Sequence, residues 1–336
     1  MNKRDVVIEA IGFRPPPYVP WAWSMTQQCE ARLGAYLHTD DLTDFVGSHF
    51  TDLASGIVRF DKIAADTYRD VYGVVWDRTV DKDIGSPVDW PIRRVEDLDR
   101  YSWPDADDDI WYVDIPETPV GSEGLFRRFS IGFSLYERAW TMRGMEDLLV
   151  DMVVRPEFVE KFMDQIVDHN MVQIRRALGF DVDCVHFGDD YGAQRGLIMG
   201  IDHWRHFIKP RLARMFEPVR AAGKYVSMHS CGAVSELFDD LIDIGLNMFN
   251  PFQPEVMDVF ALKNQYQGRL AFHGGMSIQH VLPFGSVAEV QAATESLIEA
   301  GREGGYIFSP SHAVPPDVPP ENLVAMMEVL RNQPGF

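Results

Sequence analysis

Lys224-Tyr-Val-Ser-Met-His229-Ser-Cys231-Gly232 is the stretch around which the chain is organised. Gly223 ends a helical pattern, and Tyr225, Val226 and Met228 then give the β-rich, apolar character of a buried strand. From Ser235 onward the pattern is helical again and stops at Gly245. His229 and Cys231 therefore fall at the carboxyl end of a strand. Their i, i+2 spacing points both side chains to one side if the strand runs that far. Imidazole beside thiolate is a ligand set that zinc prefers. A hydrogen-bonded strand end is the other role for such a pair, and the spacing alone leaves both open.

Working outward, the pattern predicts five strands, over residues 183–187, 225–229, 246–249, 270–273 and 306–308. Helical segments separate most of them. Pro156 opens a long amphipathic one carrying Phe158, Phe162, Ile166, Met171 and Ile174 near the 3.6-residue period, and Gly179 stops it. Asp202 is expected to cap another that reaches residue 222, kinked at Pro210 and Pro218. Ser286-Val-Ala-Glu289 is a capping box, and Pro319-Pro320 opens the last helix. No strand is followed by a Gly-x-Gly-x-x-Gly turn, which leaves a dinucleotide-binding half unsupported.

Alternating strands and helices imply a parallel sheet, doubly wound or closed. The polar residues decide between them. Asp189-Asp190-Tyr191, His229-x-Cys231, Asn250, His273-Gly-Gly and Ser311-His312 each follow a strand end, and in a barrel all such positions face one mouth. The expected fold is α/β, a single (β/α)8 TIM-type barrel over residues 1–336 with an N-terminal extension and long insertions in the first third. There, residues 18–23 read as a first strand with proline at its edge. Residues 60–71 fit helix or strand, and 80–109, rich in Asp, Pro and Trp, read as an excursion or lid.

Composition bounds the partners. The 336 residues are 46% hydrophobic and carry a formal net charge of −20, which argues against nucleic acid or an anionic membrane surface. Three cysteines, Cys29, Cys184 and Cys231, are too few for a disulfide framework. No apolar run approaches the ~20 residues of a membrane span, and no secretory segment opens the chain. The expected setting is cytoplasmic.

Several stretches together resemble the uroporphyrinogen decarboxylase superfamily: Met142-Arg-Gly-Met-Glu, Gly188-Asp-Asp-Tyr, His229-Ser-Cys-Gly, His273-Gly-Gly-Met, Leu282-Pro-Phe-Gly and Gly305-Tyr-Ile-Phe-Ser-Pro-Ser-His312 with Pro319-Pro-Glu-Asn. The superfamily implies a single barrel. It contains decarboxylases of haem synthesis and zinc-dependent methyltransferases that serve corrinoid proteins. The decarboxylases carry an N-terminal cluster of arginines for the substrate carboxylates, whereas this chain has only Arg14 in Gly12-Phe-Arg-Pro-Pro-Pro-Tyr18. The methyltransferases carry His-x-Cys and a second cysteine in Ser-Pro-Gly-Cys. Here His229 and Cys231 match, and Ser309-Pro-Ser-His312 places a histidine where that cysteine stands. Imidazole can replace thiolate on zinc, but His312 also aligns with a histidine of the decarboxylases.

The expected function is a zinc-dependent methyltransferase or demethylase, moving a methyl group between a small organic substrate and a corrinoid protein or thiol. The zinc ligands would be His229, Cys231 and His312, with the cobalamin supplied in trans, because one barrel leaves no room for a corrinoid domain. A homodimer is compatible with this. Asp189, Asp190, Tyr191 and His273 are the candidate catalytic residues; Trp23, Tyr136, Glu137, Gln194 and Asn250 are the candidate substrate contacts. Two alternatives stand beside this reading. One is decarboxylation of a small or tetrapyrrole acid, its carboxylate held by Arg14, Arg138 or Arg195; the other is a non-catalytic ligand-binding barrel.

Overall fold

Seven strands run parallel and in sequence order around the centre of the computed structural model, which describes residues 1–115 and 123–336. They are β1 (Phe50–Leu53), β2 (Phe126–Ile131), β3 (Cys184–Gly188), β4 (Tyr225–His229), β5 (Met248–Phe252), β6 (Ala271–Met276) and β7 (Tyr306–Pro310). The eighth position is a single residue. Trp21 bridges Phe308 in parallel; Ala22 N–H donates to the Phe308 carbonyl at 3.2 Å, and Phe308 N–H to that of Pro20 at 2.8 Å. On the other side His49 N–H donates to the Trp21 carbonyl at 2.9 Å, which closes the cylinder beside β1. The strand expected over 18–23 shrinks to this bridge because Pro20 has no N–H to give the ladder.

Period-two alternation sorts the barrel interior into layers. The first inward residue of every strand but β4 joins one buried cluster: Phe50, Phe126, Cys184, Met248, Ala271 and Ile307. Helix α1 (Lys3–Ile11) adds Val7 and Ile11 from below and so stoppers the N-terminal end of the barrel. Two residues further along the same strands stand Asp52, Arg128, His186, Asn250, His273 and Ser309, all polar and all lining one cavity. An apolar floor under a polar chamber is thus written into alternate positions of six strands.

Outside the barrel, helix α2 (Tyr136–Arg143) follows β2, and α3 (Pro156–Ala177) begins on the expected proline. The latter buries Val159, Phe162, Met163, Ile166, Val167 and Ile174, each contributing about 1.5–3 kcal/mol for its larger side chains. Helix α4 (Lys209–Ala221) is entered through a wide turn over Trp204–Ile208, which loosens the ladder where Pro210 would otherwise clash. Gly200, with φ of 75°, caps the start of that helical run, and Asp202 is its second residue, in the first turn rather than at the cap. Helix α5 (Val287–Gly301) has the expected capping box at Ser286 and Glu289, and α6 (Pro320–Arg331) ends the fold.

Residues 60–71 form two strands, Phe60–Ala64 and Thr67–Asp70, of a four-stranded antiparallel sheet completed by Val75–Asp77 and Ser86–Asp89. Asp70 pins it to α2. Its carboxylate accepts from the N–H of Tyr72 and Val74, from Trp76 Nε1 and from Arg138 Nη1, all within 3.2 Å. No helix among the described residues is long and apolar enough to cross a membrane.

Candidate functional site

His229 is the last residue of β4, and its ring is held in one orientation by Asn250, the middle residue of β5. The Asn250 amide donates to the His273 carbonyl at 3.0 Å, so its Oδ1 faces His229 Nδ1 at 2.7 Å. Nδ1 therefore carries the proton and Nε2 presents a lone pair. That nitrogen lies 3.2 Å from Cys231 Sγ and 3.6 Å from Asp190 Oδ1. His312, in the loop after β7, brings its exposed ring to 5.6 Å from that of His229, near perpendicular. The nearest ligand atoms of His229, Cys231 and His312 all fall within 4.8 Å of one another. Two imidazoles and a thiol, one tautomer already fixed by a carboxamide behind it, fit a tetrahedral zinc with one position left open.

Cys231 is placed by backbone contact. Its N–H donates to Asp190 Oδ1 at 2.7 Å, and the next residue, Gly232, has φ of 87°. A Cβ at Gly232 would stand 2.3 Å from the Gly192 carbonyl carbon, so the loops after β3 and β4 touch main chain to main chain. Burial first, then Asp190 and Glu137, push the Cys231 thiol well above its usual value. A metal bound there would have to release the thiol proton.

Two hollows meet at this cluster. An inner cavity of about 250 Å3 is the polar chamber of the barrel, reached by His229, His312 and Trp23. An outer cleft of about 470 Å3 is lined by Cys231, His312 and Gln194 among uncharged neighbours. His312 borders both.

The other residues expected at the site divide accordingly. His273 lines the inner cavity with its Nε2–H given to the Ala22 carbonyl at 2.7 Å; burial, then Arg128, lowers it to about 3, so the ring is neutral. Trp23 lines the same cavity, and its indole N–H has no partner among the described residues. Gln194 is exposed in the outer cleft. Asp190 and Glu137 stand behind Cys231, and Glu137 is raised well above the usual carboxyl range by burial, then Asp190 and Asp189.

Asp189, Tyr191 and Tyr136 are not brought into either hollow. The Asp189 carboxylate accepts from the N–H of Tyr136 at 2.8 Å and of Glu137 at 2.6 Å, capping the start of α2, and from the Tyr191 hydroxyl at 2.8 Å. Burial pushes it up to about 7 against those bonds. Tyr136 and Tyr191 are wholly buried beside it.

Sequence reading passed over Asp52, Arg128, His186 and Ser227. The Arg128 guanidinium grips Asp52 at 2.6 and 3.0 Å, and His186 Nδ1 lies 2.6 Å from Ser227 Oγ. One signal was available: Arg127-Arg128 interrupts an otherwise apolar strand. The arginines proposed for a carboxylate lie elsewhere. Arg14 pairs with Glu9 at the surface, Arg138 is buried on Asp70, and Arg195 is exposed.

The uroporphyrinogen decarboxylase (URO-D) family model matches residues 133–333, which contain the ends of β3 to β7 but not those of β1 and β2. The chain belongs to the URO-D family. Curated relatives named uroporphyrinogen decarboxylase, from Bacillus cereus (strain G9842) and Bacillus mycoides (strain KBAB4), are each 24% identical, over 91% of this chain and 90% of theirs. Among solved structures, a methyltransferase from Methanosarcina mazei superposes with a TM-score of 0.74 over 98% of both chains at 16% identity, which shows that the two share the fold. URO-D superfamily members, decarboxylases and methyltransferases alike, are enzymes.

Proposed function

We propose that this URO-D protein is a zinc-dependent methyltransferase that takes a methyl group from a small organic substrate and passes it to a corrinoid carried by a separate protein. The observation that carries the reading is the convergence of His229, Cys231 and His312, with the lone pair of His229 Nε2 turned toward Cys231 by Asn250. Zinc bound there would supply a Lewis acid for the substrate heteroatom from which the methyl group departs.

The chain's own residues divide the remaining work. Asn250 and the His273 carbonyl keep the His229 ring oriented, while the Asp190 carboxylate holds the Cys231 backbone N–H and so places the thiol. The inner cavity encloses the small substrate, and the outer cleft leaves the opposite side of the cluster open to a methyl carrier. The methyl group leaves without its bonding pair, which stays on the heteroatom, and the reduced corrinoid supplies the new pair.

A porphyrinogen with eight carboxylates finds little support here. Arg128 is the one cation among the described residues lining the inner cavity, and Asp52 already holds it. Decarboxylation of a smaller acid is the second reading, favoured by that same cation inside the chamber.

Zinc analysis of protein purified without added metal, combined with methyl transfer to free reduced cobalamin, tests the proposal. Near-stoichiometric zinc with transfer that stops on chelation supports it. Protein that binds no zinc, or releases carbon dioxide from small acids without any methyl transfer, overturns it.

A further inference from the structure

The inner cavity contains a guanidinium that is only half used. Arg128 Nε and Nη2 donate to the two oxygens of Asp52, and the group lies over the Phe50 ring, 5.0 Å from its centre. Nη1 has no partner among the described residues, so the edge formed by Nη1 and Nη2 is open. A guanidinium has two such bidentate edges, and each matches the two oxygens of a carboxylate. Keeping one inside a barrel is costly unless it is paired, and Asp52 meets that need in the empty cavity.

The neighbouring groups do not compete for the open edge. His273 gives its Nε2–H to Ala22, and His229 gives its Nδ1–H to Asn250. Burial keeps His186 and His273 uncharged, so neither supplies a rival cation. Asp52 is the half-exposed member of the pair, at 54% against 13% for Arg128, so its carboxylate borders whatever fills the chamber.

We infer that Arg128 anchors the carboxylate of a small organic acid, held by its anionic end on the open guanidinium edge while its other end reaches toward His229, Cys231 and His312. This rests on the reading that the inner cavity is the substrate site. The chamber of about 250 Å3 has the volume of about eight waters at about 30 Å3 each, which sets the size of the acid. Charge adds a further condition. Asp52 cancels Arg128, so a bound carboxylate leaves the chamber one charge negative; a divalent ion with one thiolate restores that charge. Acid and metal should therefore strengthen each other's binding.

Calorimetric binding of methoxyacetate and of its uncharged analogue methoxyacetamide tests the anchor, with and without added zinc. Wild type should prefer the acid by about tenfold or more, the worth of a bidentate charged contact. Arg128→Gln should bring the ratio to about one, and Arg128→Lys should fall between, since it keeps the charge and loses the fork. Asp52→Asn should bind the acid more tightly, because a competing carboxylate is gone. Thermal melting confirms that each variant is folded. No measurable binding of the acid by wild type, a preference that survives in Arg128→Gln, or weaker acid binding in Asp52→Asn overturns the inference. If the Arg128 dependence holds in protein that binds no zinc and transfers no methyl group, the methyltransferase reading falls and the carboxylate anchor stands.

Discussion

Asn250 fixes the ring of His229: Oδ1 of one stands 2.7 Å from Nδ1 of the other, and the asparagine is itself committed by its bond to the His273 carbonyl. Replacing Asn250 with Ala frees the ring to present either nitrogen. The expected result is a loss of zinc affinity of about 10–100-fold, the usual cost of losing an outer partner of a metal-bound histidine. Competition with a chromophoric chelator measures it, and unchanged affinity would mean that the ring does not bind metal.

The three ligands should not be equal. Cys231→Ser should remove most of the zinc, because it takes away both a soft donor and a negative charge. His312→Ala should weaken binding less, since water can fill the position of an exposed imidazole. Elemental analysis of both variants separates these outcomes. Full zinc content in Cys231→Ser would reduce the His-x-Cys pair to a strand end.

Gly232 offers a test that leaves every ligand in place. Its φ of 87° costs an L-residue about 1–2 kcal/mol, and the added Cβ has nowhere to go against Gly192. Gly232→Ala should push the two loops apart, displace Cys231 and lower zinc content although His229, Cys231 and His312 all remain. Metal content together with a thermal melt distinguishes this from general unfolding.

Acid stability follows from buried histidines. Burial lowers His49 to about 3 and His169 to about 4, with Lys3 and Arg138 respectively adding to the effect. In the unfolded chain a histidine takes up its proton near pH 6.5, so below that pH the unfolded state binds more protons than the folded one. The stability these groups give is complete above pH 6.5 and is lost as pH falls toward 4, at up to about 1.4 kcal/mol per pH unit for each. Asp189 and Glu137 titrate with the opposite sign, because their folded values are raised. The comparison is therefore between wild type and His169→Gln, which should keep its bond to the Tyr72 hydroxyl and show a shallower fall in denaturation midpoint between pH 6.5 and 4.5. Parallel slopes would show that His169 is not held neutral.

What could be read in the sequence follows from how local the cause is. Tyr225–His229 was legible to the residue because an apolar run ends between two glycines. Strands β5 and β6 were placed but cut short. Pro251 and Gly274-Gly275 read as stops, yet the chain stays in the sheet through both; a side chain at Gly274 would meet the Phe252 backbone at 2.3 Å. Strand β1 was missed because its inward positions are Phe50 and Asp52, and a charged residue facing a barrel cavity looks like a loop. The grouping of His229, Cys231 and His312 came from resemblance, since nothing in the spacing brings His312 back to β4. The bond from Asp189 to the start of α2 joins residues more than fifty positions apart, and only the folded barrel makes that visible.

Helix α1 and the apolar layer above it close the far end of the barrel, so the inner cavity opens toward the C-terminal ends of the strands. His312 borders both that mouth and the outer cleft. On the methyl-transfer reading proposed above, a small molecule and a large methyl carrier would share this mouth: the small molecule would go in before the carrier seats, and come out only after the carrier has gone. Turnover would then follow a compulsory order, and carrier in excess would slow it by sitting on an empty chamber.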